Sequence, residues 1–368
     1  MTGSFVPGLA LAEAFHAEIV GPLLDSALGS VPYSAGLIGA GSEVQGYDTE
    51  RSTDHAWGPR VQVFLGGEDF RARAADLTAL LDRELPEAFG GHPVRWEFPP
   101  GTPARHRVDV IDLGAYFAEQ LGADPAGGVP VSAWLTTPTQ TLRELTAGAV
   151  FHDGLGRLAA YREQLAWYPD DVWRHVLACQ WMRLSQEEPF VGRCGEVGDE
   201  LGSAVVAARQ VRDLMRLCLL MHRVYPPYGK WLGTAFAALP RAADLTPHLT
   251  GALSAGTWRA RERHLSPAYE AVAALHNALA LTDPLDPSVR PFHDRPFLVL
   301  DAHRFTHALT ATIADPALRA RPPIGAVDQY VDSTELTASP NAALRHRHVP
   351  YVPYAPAGTT GTTPPTTS

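Results

Sequence analysis

A glycine–serine turn, followed by an acidic residue and a short apolar strand, constrains this chain more than any other feature. Gly41 and Ser42 precede Asp54, and the strand-like run Val61–Leu65 follows. A Gly-Ser turn lets backbone N–H groups and a hydroxyl approach a phosphate closely. An acidic residue that opens a strand can then hold the Mg²⁺ that accompanies phosphates. The pattern predicts a site for phosphoryl or nucleotidyl transfer, which depends mainly on positioning and charge neutralisation.

The same residues resemble the nucleotidyltransferase superfamily, which includes the aminoglycoside and lincosamide adenylyltransferases and the DNA polymerase beta group. The run 46–60 is more similar still to an uncharacterised bacterial branch known only as a domain of unknown function. Two later stretches, 198–203 and 225–231, also resemble that branch. The resemblance covers most of residues 10 to 335, and it implies an active site in a cleft between a sheet domain and a helical domain.

Hydrophobic patterning gives the same fold class. Strand-like alternation ends near residue 130, and helical spacing dominates from there on. We therefore expect an α+β chain. A small mixed β-sheet domain of nucleotidyltransferase type would cover residues 1–130, an all-helical domain 131–345, and a disordered tail 346–368.

Candidate site residues follow from the resemblance and from side-chain chemistry. Asp54 and Asp109 are the expected catalytic carboxylates and metal ligands, with Asp48 as a further ligand to Mg²⁺ or Mn²⁺. Strand alternation places Asp109 on the face opposite Val108 and Val110. A structural alternative stays open for Asp54, in which it caps a turn. The residues expected to bind a nucleoside triphosphate are Gly41, Ser42, Arg60 and Lys230. The candidates for the acceptor side or the general base are Asp199 and Glu200.

Lys230 is the only lysine among 30 basic residues. A compact ammonium suits a single phosphate oxygen, so a lysine in an arginine-rich chain is a candidate phosphate ligand. The alternative is a surface lysine packed beside Trp231. Because Trp231 follows directly, the Gly-Lys-Ser/Thr sequence of a Walker A loop is excluded.

Two alternatives to an enzyme stay open. The superfamily pattern has two acids separated by one residue, and this chain has Ala56 in the second place. The chain could therefore be a nucleotide-binding regulator with impaired catalysis. Arg216 and His222 resemble the Arg-x(4–6)-His signature of HEPN ribonucleases, which would make the helical part an interaction or toxin–antitoxin module.

The composition narrows the classes of partner that this chain is expected to bind. A formal net charge of −10 argues against bulk nucleic-acid binding, and no run of about 20 apolar residues predicts a membrane span. Three cysteines without metal-ligand spacing, and no basic residue before Arg51, favour the cytoplasm. The expected partners are a nucleoside triphosphate and a small-molecule or protein acceptor. The expected activity is Mg²⁺-dependent transfer of a nucleotidyl group, AMP in the first instance, to an acceptor hydroxyl.

Overall fold

A four-stranded mixed sheet organises the first part of the chain in the computed structural model, which describes residues 5–54, 57–97 and 101–337. The strands are β1 (Ser34–Leu37), β2 (Val61–Leu65), β3 (Val108–Asp112) and β4 (Ala149–Asp153). Their order is β3-β2-β1-β4. β2 and β3 run parallel, and β1 is antiparallel to both of its neighbours.

β1 consists of small and apolar residues that are all buried. A Cβ on Gly36 would lie 2.6 Å from the carbonyl oxygen of Ala149, so β1 can approach β4 this closely only without a side chain there. Sequence reasoning misses β1, because small residues carry little strand propensity. It also misses β4, which lies in the region predicted to be all helical.

Eight helices occur among the described residues up to residue 187. α1 and α2 are joined by a π-helical turn at His16–Val20, and short 3₁₀ turns occur at Glu50–Asp54 and Pro125–Gly127. Two-residue strands pair Ala88–Phe89 with His92–Pro93 and Arg95–Trp96 with Arg105–His106. The helices are α1 (Gly8–Phe15), α2 (Gly21–Leu28), α3 (Gly67–Glu84), α4 (Leu113–Leu121), α5 (Val131–Thr136), α6 (Thr139–Thr146), α7 (Leu158–Gln164) and α8 (Asp170–Glu187).

One face of the sheet forms the core of this part of the chain. Val61, Val63 and Val108 project into a buried cluster together with Leu77 and Leu81 of α3. Burial of each such side chain contributes about 1.5–3 kcal/mol. Because side chains alternate along a strand, the intervening positions of β2 and β3 face the other way.

Helices dominate the second part of the chain. Among the described residues it has only a two-stranded hairpin, formed by Arg290–Pro291 and Leu298–Val299, and a 3₁₀ turn at Val327–Gln329. The helices are α9 (Phe190–Glu196), α10 (Glu200–Met221), α11 (Gly229–Ala237), α12 (Ala242–Ser254), α13 (Trp258–Ala278), α14 (His303–Ala311), α15 (Pro316–Arg319) and α16 (Thr334–Thr337). A mixed sheet followed by helices confirms the predicted α+β class.

The chain divides into two compact units. The first takes the residues up to Ala133 together with Gln140–Ala166, and the second takes Trp134–Thr139 and the chain from Trp167 onward. The first unit therefore extends past the predicted boundary at residue 130, because β4 completes its sheet. The predicted tail, 346–368, lies outside the described residues.

All three cysteines are free thiols, as their number and spacing predict. Among the described helices, none is long and apolar enough to cross a membrane.

Candidate functional site

The loop that follows β1 is the predicted phosphate cradle, and backbone hydrogen bonds hold it at its start and at its end. Its first N–H groups are bound by partners from elsewhere in the first unit: Ile38 N donates to Oε1 of Gln62 at 2.9 Å, and Gly39 N donates to the carbonyl of Glu144 at 2.8 Å. At the other end, Tyr47 N donates to the carbonyl of Ser42 at 2.8 Å. Both Gly39 and Gly41 have positive φ, of 89° and 144°, which favours glycine at each position. The sequence thus builds a fixed, glycine-dependent loop.

The Arg60 side chain contacts this loop. Arg60, Gly41 and Ser42, three of the four residues predicted to bind the nucleotide, are therefore neighbours. Nη2 of Arg60 donates to the carbonyl of Ala40 at 2.7 Å and lies 2.6 Å from Oε1 of Glu43. A Cβ on Gly41 would lie 2.3 Å from that same Nη2. A side chain at position 41 would thus force the ends of the Arg60 and Glu43 side chains to shift, which adds to the preference for glycine that its φ sets. Ser42, half-buried, begins the turn that contains Glu43.

Asp109 belongs to the sheet face that supports the loop. It is the register partner of Gln62 in the parallel pair β2–β3, so both side chains project from the same face. That face is opposite the one on which Val108 and Val110 pack into the core, as predicted. The Asp109 carboxylate is 47% exposed, and its Oδ1 lies 3.9 Å from Nη1 of Arg105. It is thus available to solvent one strand away from the residue that binds the loop.

Asp54 does not open a strand, so that part of the prediction is wrong. It ends the 3₁₀ turn Glu50–Asp54, while β2 begins only at Val61. The turn is stabilised locally, since Thr53 Oγ1 donates to the carbonyl of Glu50 at 2.8 Å. The Asp54 side chain is exposed. Ala56, the position where the superfamily has its second acid, lies outside the described residues.

The Asp48 carboxylate links two segments of the first unit through hydrogen bonds. Its Oδ2 accepts hydrogen bonds from the backbone N–H of Gly8 at 2.7 Å and from Nε1 of Trp57 at 3.1 Å. These bonds join the start of α1 to the segment that leads into β2. A metal ion at Asp48 would have to bind the other oxygen or displace two donors.

Half-buried polar residues lie next to the loop, and sequence reasoning missed them. Tyr116 of α4 hydrogen-bonds Gln62, and burial raises its pKa to about 12. Burial also raises the pKa of Glu144, although a hydrogen bond from Gln140 at 2.7 Å opposes that shift. The signal for Gln62 was present in the sequence, since it is the polar residue in an otherwise apolar strand. The sequence around Tyr116 and Glu144 carries no comparable signal, because the residues that they contact come from distant segments of the chain.

The oxygen ligands available at this site suit a hard cation. Mg²⁺ prefers carboxylate oxygens and typically binds through one or two carboxylates plus substrate phosphates. Asp54 is exposed, the Asp109 carboxylate is about half exposed, and both residues belong to the first unit. Within residues 5–54, 57–97 and 101–337, no group of three or more His, Cys, Asp or Glu side chains is arranged to hold a metal. Asp54 and Asp109 therefore stay candidate ligands for such an ion.

The remaining predicted residues belong to the second unit. Asp199 caps α10 by accepting a hydrogen bond from Gly202 N at 2.7 Å. Glu200 lies 2.5 Å from Nη1 of Arg261. Both carboxylates thus have structural partners. Lys230, the second residue of α11, is exposed, and its Nζ lies 4.8 Å from the ring centroid of Trp231.

The geometry does not favour a HEPN-type ribonuclease site. Arg216 donates to the carbonyl of Asp328 at 3.0 Å, whereas His222 is bonded through Nδ1 to the carbonyl of Cys218 at 2.8 Å. The two side chains line different cavities of the second unit. A catalytic pair must meet at one substrate.

The chain is similar to known proteins in two respects. The family model described as "Domain of unknown function (DUF4037)" matches residues 134–232. The crystal structure of a nucleotidyltransferase-like protein from Exiguobacterium sibiricum 255-15 aligns with the chain with a TM-score of 0.33 and 12% sequence identity over 83% of this chain and 91% of that chain. No curated protein matches the chain.

The family model confirms the predicted resemblance to a domain of unknown function. Its range includes both later stretches on which that resemblance rests, 198–203 and 225–231. The run 41–60 lies before the matched residues.

Proposed function

We propose that this protein transfers a nucleotidyl group, AMP in the first instance, from a nucleoside triphosphate to an acceptor hydroxyl. One observation carries the proposal. The glycine loop after β1 is held by Gln62, and the register partner of Gln62 is the exposed carboxylate Asp109. The proposed phosphate cradle and the proposed metal ligand Asp109 thus adjoin the same face of the sheet, which supports phosphoryl-transfer chemistry.

The loop would bind the triphosphate. Gly41 and Ser42 offer backbone N–H groups and a hydroxyl. Arg60 already lies on the loop, and its guanidinium has further N–H groups besides those that contact Ala40 and Glu43. Lys230 remains a proposed phosphate ligand of the second unit. Free cysteines support a reducing compartment, and the cytoplasm is the proposed location.

The carboxylates would serve the metal and the acceptor. A bound Mg²⁺, held by Asp54 and Asp109, supplies neutralisation of the phosphate charges. The acceptor oxygen attacks the α-phosphorus and forms a new P–O bond, while the bond from that phosphorus to the β-phosphate oxygen breaks and pyrophosphate leaves. The hydroxyl proton passes to a carboxylate, for which Asp109 is the proposed base. Asp199 and Glu200 are weaker candidates for that role, because a cap and an ion pair engage them.

Pyrophosphate release tests the proposal. The full chain is incubated with each nucleoside triphosphate, Mg²⁺ and pools of hydroxyl-bearing acceptors, with and without EDTA. We expect metal-dependent release that falls by about tenfold or more in Asp54→Asn and Asp109→Asn. Asp76→Asn, which changes an exposed carboxylate on α3, is the matched control.

Three outcomes separate the possibilities. Equal release by the wild type and both site variants would reject the assigned residues. Tight triphosphate binding in a calorimeter without any release would replace transfer by a regulatory, nucleotide-binding role. A lack of binding to every triphosphate would reject both.

A further inference from the structure

A pocket of about 210 Å³ opens in the second unit, among α10, α11, α12 and α13. Apolar side chains line most of it, among them Phe236 of α11, which is buried, and Leu245 of α12, which is half-buried. The proposed transfer site in the first unit uses none of these residues. The pocket is therefore a separate feature that nucleotidyl transfer does not explain.

Alanines on α13 keep the pocket open. Ala271, Ala274 and Ala278 line it, and their spacing of three and four residues places them on one face of the helix. All three are exposed, so their methyl groups face solvent in the pocket. A larger apolar residue at these positions would fill the space. An apolar molecule bound here would remove this surface from water, which is the main driving force for binding in such pockets.

His222 supplies a directional polar group. It lines the pocket, and its Nδ1 lies 2.8 Å from the carbonyl of Cys218. A carbonyl only accepts, so Nδ1 is the donor of this hydrogen bond, and an uncharged ring then offers Nε2 as an acceptor. A ligand that hydrogen-bonds to this acceptor must carry an N–H or O–H group.

The charged residues at the rim favour a neutral ligand. Arg241 Nε donates to Oδ2 of Asp244 at 2.9 Å, and both side chains are exposed. Each charge therefore has an opposite charge beside it. Neither sign is left in excess to attract an ionic ligand.

We propose that this pocket binds a small, neutral, apolar molecule that donates one hydrogen bond to His222. Its size suits one or two fused rings, since an engineered apolar cavity on the order of 150 Å³ takes up benzene. The proposal does not depend on the nucleotidyl-transfer function.

Indole and benzofuran test the proposal as matched probes. They have nearly the same shape, but indole has an N–H donor where benzofuran has an oxygen acceptor. Each is titrated into the full chain in a calorimeter. We expect saturable binding of one indole per chain and about tenfold weaker binding of benzofuran, the effect of one hydrogen bond.

Two substitutions locate the binding. Ala274→Leu should fill the pocket and weaken indole binding by about tenfold or more, while Ala243→Leu, at an exposed position of α12 outside the pocket, should leave it unchanged. His222→Leu should reduce indole affinity to that of benzofuran. Circular dichroism shows whether each variant is folded, and His222→Leu decides the matter if Ala274→Leu is not.

Three results would overturn the proposal. The first is no saturable indole binding to the wild type at millimolar concentration. The second is undiminished binding by folded Ala274→Leu. The third is equal affinity for the two probes, which removes the hydrogen bond to His222.

Discussion

Nη2 of Arg60 lies 2.6 Å from Oε1 of Glu43, a carboxylate that is only 4% exposed. The pair fixes Arg60 across the glycine loop, and it places a buried negative charge next to the residues proposed to bind phosphates. Glu43 therefore helps to fix the position of the Arg60 guanidinium.

Glu43→Gln should destabilise the first unit. Glutamine keeps the volume but removes the charge that compensates Arg60, so we expect a loss of about 1 to 3 kcal/mol in the free energy of unfolding, measured with urea. Glu13→Gln, at an exposed position of α1, is the control and should change stability little. Equal effects of the two substitutions would show that the Arg60–Glu43 pair contributes nothing.

Gly41→Ala should disturb the loop more than Gly46→Ala. Both glycines have positive φ, but a Cβ at Gly41 would collide with Arg60, whereas a Cβ at Gly46 meets no atom within 4 Å. We expect Gly46→Ala to cost about 1 kcal/mol, the strain of the backbone alone, and Gly41→Ala about 2 kcal/mol or more. Thermal unfolding of the two variants provides the comparison. Equal costs would mean that Arg60 moves away freely.

Asp48→Ala and Asp48→Asn separate a structural role from a metal role. Alanine removes the acceptor of two hydrogen bonds, and we expect a loss of about 1 to 3 kcal/mol in the free energy of unfolding. Asparagine keeps an acceptor oxygen, so its cost should stay under about 1 kcal/mol. Pyrophosphate release should persist in folded Asp48→Asn. Abolished release in that variant would instead identify Asp48 as a metal ligand.

His276 should make stability depend on pH. Its ring is fully buried, its Nδ1 accepts a hydrogen bond from Trp181, and burial lowers its pKa to about 4. Below pH 6.5 the unfolded histidine binds a proton that the folded one does not, so stability is lost as pH falls from 6.5 toward 4. At pH 5 this cost is about 2 kcal/mol relative to pH 7.5.

His276→Gln isolates this effect. Urea unfolding of both proteins at pH 7.5 and 5 should show that the wild type loses about 2 kcal/mol more than the variant over this interval. Glu188 acts in the opposite direction, since burial raises its pKa to about 7, but it is present in both proteins and cancels in the difference. If both proteins lost the same free energy of unfolding between pH 7.5 and 5, a group other than His276 would cause the pH dependence.

Long periodic elements were predictable from the sequence. Helical spacing of apolar residues predicts helices at 70–85, 170–188 and 199–225, and α3, α8 and α10 occur at Gly67–Glu84, Asp170–Glu187 and Glu200–Met221. The alternation around Asp109 was predicted for the same reason, since a half-buried strand imposes a period of two. Strand β1 was not predicted, because its sequence has little strand propensity. It forms a strand because it packs closely against β4.

The amino-acid sequence by itself determined the α+β class, the glycine–serine loop and the strand that carries Asp109, because periodicity and backbone freedom are local properties. Only the tertiary structure decided that Gln62 joins the loop to that strand, that Glu43 holds Arg60, and that Asp54 ends a turn instead of opening a strand. Those relations join segments far apart in the chain or depend on where a strand begins to pair, and such choices are made by packing and burial across the whole unit.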